Sequence, residues 1–330
     1  MEVAAAIMTR REWLTIAGSA GVAGWAGFKV PVEGPEVDDV GGAKSPVAIV
    51  KAASYSGELA ARILEGVKAC GLDVRGKRVV LKPNMVEFDK ATAINTDVAV
   101  VSAALEVFAK LGAADVRVAE GPGHRRDTYG LAEEAGYRSM LSKFDRLFTD
   151  LNRDDVSRVE GFADEGEIYL PNTILQADLI VSMPKMKTHH WAGATLSMKN
   201  YFGVVPGSIY GWPKNMLHIV GIPRSIVELS RILGKKSFAI VDGIVGMEGN
   251  GPIQGTPKQA GVLVMGRDLR AVDATCCRMM GIDPSQVEYL QRSGNLGNAS
   301  AGLIEMRGES VAGVRTDFQL IDQFKGLRLI

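Results

Sequence analysis

The sequence predicts a single large α/β domain: a mainly parallel sheet with helices on both faces. Three observations predict it. From about Pro46 onward, short Val/Leu/Ile runs alternate with helix-period segments, the pattern of strand–helix–strand units. The runs lack regular polar alternation, as expected of strands buried on both faces. Glycine, at 38 of 330 residues, punctuates long apolar runs instead of forming low-complexity tracts, which suits tight strand-to-helix turns.

Before the domain, Thr9-Arg10-Arg11-Glu12-Trp13-Leu14 places an arginine pair ahead of the modestly apolar stretch Leu14–Phe28. Residues 1–28 therefore predict a twin-arginine signal peptide, with the export machinery as partner and the periplasm or cell envelope as destination. The stretch falls short of the ~20 strongly apolar residues of a membrane span, so membrane contact is expected only through the leader if it stays uncleaved. No clean A-x-A cleavage site is visible, and Met8 is an alternative start. Residues 29–45, with valines scattered among Pro, Gly and acidic residues, read as a linker, and 46–330 as the domain.

Within the domain, Val47–Val50 reads as a strand, followed by a helix over Ser56–Cys70. Arg78–Leu81 precedes a helix over Asp97–Leu111, and Val116–Ala119 precedes a broken helical region from Tyr129. Ser56 and Thr96 suit N-caps, and Gly71 and Gly112 fall where a C-terminal glycine belongs. Leu179–Ser182 is the next strand, then a helix over Ile222–Leu233, the strand Phe238–Val241, and Val262–Met265, which closes the expected strand count. Helices over Leu269–Met280, capped by Asp268, and Gln286–Arg292 complete the reading. The aromatic, Gly-rich and poorly periodic stretch Thr188–Asn215 reads as a long functional loop or lid.

Composition narrows the function. Lys plus Arg equals Asp plus Glu at 38 each, which gives no overall sign of a nucleic-acid groove or polybasic membrane patch. The three cysteines, Cys70, Cys276 and Cys277, form no C-x-x-C spacing for zinc or an iron–sulfur cluster. A dinucleotide fingerprint, a glycine-lysine phosphate loop and a G-x-S-x-G turn are missing from the sequence.

Ligands of parallel α/β sheets sit beyond the carboxyl ends of the strands. Four runs here end in ionisable groups: Lys82-Pro83-Asn84, Glu120 to His124, Lys185 to His190, and Asp242-Gly243. Their convergence would make one polar cleft. Lys82, Asn84, Lys185 and Asn200 suit binding of a carboxylate or phosphate, with Lys187 and Lys199 as further ammonium groups; the plain alternative is a solvated basic loop. His189 suits proton transfer, more than His190, His124 or His218. The run Asp242–Pro252 offers Asp242, Glu248 and Asn250 as hard oxygen ligands for Mg²⁺ or Ca²⁺, or else is a turn rich in turn residues. Asp273 falls on the apolar stripe of its helix, so it needs a partner: a cleft lysine, a metal or backbone amides.

The segments VVLKPNMVE, ADLIVSMPKMKTHH, TLSMKNYFGVVPG, FAIVDGIVGMEGNGPIQG and RDLRAVDATCCRMMGIDP together resemble the domain-of-unknown-function family numbered 362, in the family's order, from about Pro46 to Leu296. The resemblance implies a widespread prokaryotic domain, often predicted to be exported and sometimes joined to ferredoxin-type cysteine clusters. Those clusters are missing here, so no iron–sulfur role is carried over. Matched by position, it points to Lys82, Asn84, Lys185, Lys187, His189, Lys199, Asn200, Asp242, Glu248, Asn250, Asp268 and Asp273. The expectation is an envelope enzyme (a lyase, isomerase or hydrolase) acting on a small anionic substrate. In it His189, Lys187 and Lys199 are catalytic, and Asp242, Glu248 and Asp273 hold a divalent metal. The rival is a non-catalytic anion or metal carrier. A redox role for Cys276 and Cys277 lacks an activating motif.

Overall fold

The computed structural model describes residues 42–163 and 166–329; the leader and most of the linker lie outside the described residues. Its strands are β1 (Ser45–Lys51), β2 (Arg78–Pro83), β3 (Asp115–Glu120), β4 (Phe148–Asp150), β5 (Val156–Glu160), β6 (Glu167–Pro171), β7 (Leu179–Met183), β8 (Lys185–His189), β9 (Gly193–Thr195), β10 (Ser237–Glu248), β11 (Thr256–Gly266) and β12 (Ile304–Gly308). Ten of them form one sheet with the order β12-β1-β11-β10-β7-β2-β3-β4, and β8 and β9 extend it beyond the end of β7. β5 and β6 form a separate ribbon.

The sheet is mostly parallel, as predicted: β10, β7, β2, β3 and β4 run together, and β1 runs parallel to β12. β11 is antiparallel to both β1 and β10. Alternation along β1 shows why both faces are covered. Val47 and Ile49 belong to one apolar core, while Ala48 and Val50 belong to the other. Helices α1 (Leu59–Ala69) and α2 (Val98–Lys110) bury Ile63, Val67, Val101 and Phe108 in the second core. Helices α3 (Ile222–Leu233) and α4 (Leu269–Met279) bury Ile226, Leu229, Val272 and Cys276 in the first.

Several local expectations need correction. Asp97, not Thr96, caps α2 by accepting from the Ala99 amide; the Thr96 hydroxyl instead donates to the Met183 carbonyl and ties two strand ends together. Ser56 caps nothing, because α1 begins after Glu58. Asp268 does cap α4. The glycine-rich run from Asp242 is sheet as far as Glu248, since its small residues lie close against β8: a Cβ on Gly246 would come 2.6 Å from the Met186 carbonyl. The strand count does not close at Met265, because β12 follows. The region from Thr188 to Asn215 is no free loop: it holds the end of β8, all of β9 and a 3-10 turn over Lys199–Val204, with most of its first half buried. No helix among the described residues is long and apolar enough to cross a membrane.

Candidate functional site

At the carboxyl ends of β2 and β3, Lys82 and Glu120 meet in a fully buried pair at 2.6 Å. Lys82 Nζ also donates to the Pro83 carbonyl at 2.9 Å and to Asn200 Oδ1 at 3.1 Å. Asn200 returns its amide to the Lys82 carbonyl and to the Ser182 hydroxyl. This node is possible because residue 203 is glycine: a Cβ there would lie 2.4 Å from Lys82 Nζ and 2.6 Å from Glu120 Oε1. Lys82 is thus a positioning group behind the site wall, and the Asn200 amide is spent on it. Neither is free to bind a substrate directly, which corrects the substrate-binding role expected of both from the sequence.

In front of this node opens a cleft of about 750 Å³. Lys187, Lys199 and Lys214 line it, and so do all four histidines of the sequence, His124, His189, His190 and His218. Glu120 is its only lining carboxylate among the described residues, and Lys82 already claims it. Three buried polar atoms on the lining have no hydrogen-bond partner among the described residues: Asn84 Oδ1, Glu120 Oε2 and Thr195 Oγ1. Buried polar groups are ordinarily satisfied, so such a concentration marks a place where another molecule, water included, belongs.

The lysines differ in their surroundings. Lys187 Nζ donates to the carbonyls of Ile94 at 2.8 Å and Pro252 at 3.3 Å, and burial pushes its pKa well below the usual lysine value, with Lys185 and Lys199 pushing the same way. Lys214 has left-handed backbone (φ 68°), and its ammonium caps the carbonyls of Gly121, Phe202 and Gly203. Burial brings it down to about 7, with Glu120 opposing. Lys199 is ringed by protein yet keeps part of its surface open to the cleft. Its Nζ sits 3.5 Å from the centroid of the Phe202 ring and has no hydrogen-bond acceptor among the described residues. Burial, helped by the Lys82 charge, brings it down to about 7.

His189 Nδ1 accepts from the backbone amides of Trp191 at 3.0 Å and Ala192 at 3.2 Å. That fixes the tautomer: the proton sits on Nε2, which is left as a donor. Burial and the nearby lysines hold the ring neutral, its pKa well below the usual value. His189 is therefore built as a neutral N–H donor more than as a base. His190 differs in that its Nδ1 meets the Gly251 carbonyl at 2.7 Å. The indole of Trp191, 60% exposed, lies edge-on to both His190 and His218.

The expected single cleft divides into two polar places. Lys185 and Asp242 form a second buried pair at 2.6 Å, and Tyr55 bonds both, accepting from Lys185 at 2.8 Å and donating to Asp242 Oδ1 at 3.0 Å. The other Asp242 oxygen also accepts from the Asp97 amide. Lys185 faces a separate hollow of about 310 Å³. The carboxylates expected to share a metal are not brought together. Glu248 accepts from the Gln319 amide and pairs with Lys258. Asp273 accepts from the Ser197 amide and hydroxyl, the Met198 amide and the Tyr289 hydroxyl, so of the three expected partners it took backbone amides, joined by hydroxyls. Burial still pushes Asp273 up to about 7 against those four donors. Among the described residues no group of three His, Cys, Asp or Glu side chains is placed to hold a metal ion. Asn250 lines the cleft, its amide on Gln254.

Sequence reasoning did not select Lys214, Thr195 or Glu120 as site residues. Glu120 stood at a strand end and carried that signal. Lys214 carried none, since one lysine in an irregular stretch looks like any other. Cys276 and Cys277 are buried in α4, where burial raises both thiols far above the reactive range.

A family model described as "Domain of unknown function (DUF362)" matches residues 79–278. The chain is 27% identical over 267 residues to a thylakoid-associated protein of Synechocystis sp., covering 76% of this chain and 79% of that protein. Two solved structures are similar. One is the lactate racemase apoprotein from Thermoanaerobacterium thermosaccharolyticum, with a TM-score of 0.44, 13% identity, and coverage of 72% of this chain and 57% of that one. The other is a protein from Thermotoga maritima, with a TM-score of 0.35, 16% identity, and coverage of 66% and 58%. The chain thus spans a little over half the length of each solved structure.

Proposed function

The chain belongs to the DUF362 family, and from that premise we propose that it is an enzyme binding a small carboxylate- or phosphate-bearing substrate in the 750 Å³ cleft, beside the Lys199 amine. One observation carries the reading. Among the described residues, Lys199 is enclosed without an acceptor, in a cleft whose only lining carboxylate is already paired. An ammonium in such a place lacks a counter-charge, and a bound anion supplies one. Lys187 and the His189 Nε2–H add donors to the same space. An amine that titrates near 7 is also suited to proton transfer at neutral pH, which favours chemistry over mere storage.

A divalent ion on Asp242, Glu248 and Asp273 is not part of this reading, because each carboxylate is held by its own neighbours. The arginine pair Arg10-Arg11 ahead of Leu14–Phe28 supports delivery to the cell envelope by twin-arginine export.

Titration calorimetry with orthophosphate and with succinate at pH 6.5 tests the reading. Wild type is expected to bind at least one of the two, and Lys199→Met to bind at least about tenfold more weakly, the equivalent of losing one charge-assisted contact of about 1.4 kcal/mol. No binding by wild type, or equal binding by both proteins, overturns it.

A further inference from the structure

Every other buried lysine around the site is held by acceptors. Lys82 has three, Lys214 three carbonyls, Lys187 two carbonyls, and Lys185 a carboxylate and a phenol. Lys199 has an aromatic face and open cleft. A lysine whose charge the fold itself must answer is supplied with oxygen atoms to bond. One kept for its lone pair needs the opposite: an apolar flank, a neighbouring cation and an unobstructed approach. Lys199 has all three, in Phe202, Lys82 and the cleft.

We propose that the Lys199 amine attacks the carbonyl carbon of a 2-oxo carboxylate bound in the cleft and forms an imine with it. The proposal rests on the anion-cleft reading and names its substrate class. The Nζ lone pair makes the new C–N bond while the carbonyl π electrons move to oxygen. Both amine protons end on that oxygen, which leaves as water, so amine plus carbonyl gives imine plus water and nothing is oxidised or reduced. The substrate carboxylate has donors in Lys187 and the His189 Nε2–H. The Thr195 hydroxyl, on the lining and without a hydrogen-bond partner among the described residues, can donate to the departing oxygen. The lowered Lys199 pKa, near 7, leaves much of the group as free amine at neutral pH.

The test incubates the full chain with pyruvate, and separately with 2-oxoglutarate, at pH 7.5 with sodium cyanoborohydride, and reads the intact mass and a peptide map. The expected result is one adduct, equal to the acid less one oxygen atom, mapped to Lys199 and lost in Lys199→Arg. A thermal melt confirms that the variant is folded. An adduct spread over surface lysines, or one unchanged in Lys199→Arg, overturns the proposal. Orthophosphate and succinate binding measured on the same preparation separates the two claims: binding of either without an adduct overturns the imine and leaves the anion cleft, whereas binding of neither, with no adduct, overturns both.

Discussion

Lys185 and Lys187 stand two residues apart on β8, both buried, and their surroundings are opposite. Lys185 closes a cluster in which Asp242 and Tyr55 answer its charge. Among the described residues, Lys187 meets only carbonyl dipoles and opens toward a cleft whose other lysines also lack free carboxylates. Burial of a lysine therefore says little about function by itself. The distinguishing feature is whether the fold supplies the counter-charge or leaves that to a ligand.

The sharpest way to break this contrast is Asp242→Ala. It leaves Lys185 buried without its carboxylate and is expected to cost about 3–5 kcal/mol, read from urea unfolding midpoints. A loss under about 1 kcal/mol would show that Lys185 does not depend on the pair, and the contrast would fail. Asp273→Ala comes next. It orphans the Ser197 and Met198 amides and the Tyr289 hydroxyl, with an expected cost of about 2–4 kcal/mol and no dependence on added Mg²⁺ or Ca²⁺. Stabilisation by either ion in wild type alone would restore the metal role for this carboxylate.

Lys199→Met probes the other side with a sign of its own. Between about 7 and its ordinary value, Lys199 holds fewer protons folded than unfolded, so wild-type stability rises with pH across that window, and below it the full cost of the buried charge remains. The methionine variant should melt above wild type at pH 6.5, by about 2–4 °C per kcal/mol relieved, and the gap should close toward pH 10. A gap independent of pH would mean that Lys199 is solvated. The smallest expected effect is His189→Asn. The carboxamide oxygen can replace Nδ1 as acceptor for the Trp191 and Ala192 amides, so stability should fall by less than about 1 kcal/mol while anion affinity drops; His189→Ala, which orphans the amides, should cost about 1–2 kcal/mol in melts.

These residues also show what was legible beforehand. The parallel core strands and α3 could be read because a run buried on both faces is a local property of its own residues. Asp268 could be read as a cap for the same reason. The antiparallel course of β11 could not, since side-chain periodicity carries no direction. Gly243 and Gly246 read as turn residues because a sequence shows their freedom and not the neighbouring strand that requires them to be small, whereas Gly249, with a φ of 80°, does stand in the turn that follows the strand. The cleft lysines were found through their place at strand ends. Asp242 and Asp273 read as metal ligands in the sequence because their actual partners are remote: Tyr55 is 187 positions from Asp242, and Ser197 is 76 from Asp273. Residue type and spacing indicate that a buried carboxylate must be answered, but not by what.

β1 carries one more consequence, in the order of assembly. Among the described residues it pairs only with β11 and β12, and Ser45 reaches Asp268 across 223 positions. Its ladder hydrogen bonds wait for the slowest kind of contact, because a long loop must be closed before any of them is gained. Until then β1 and β11 both present apolar edges able to pair with other chains. Refolding should therefore be limited by capture of β1, and crowded refolding should lose material at that step.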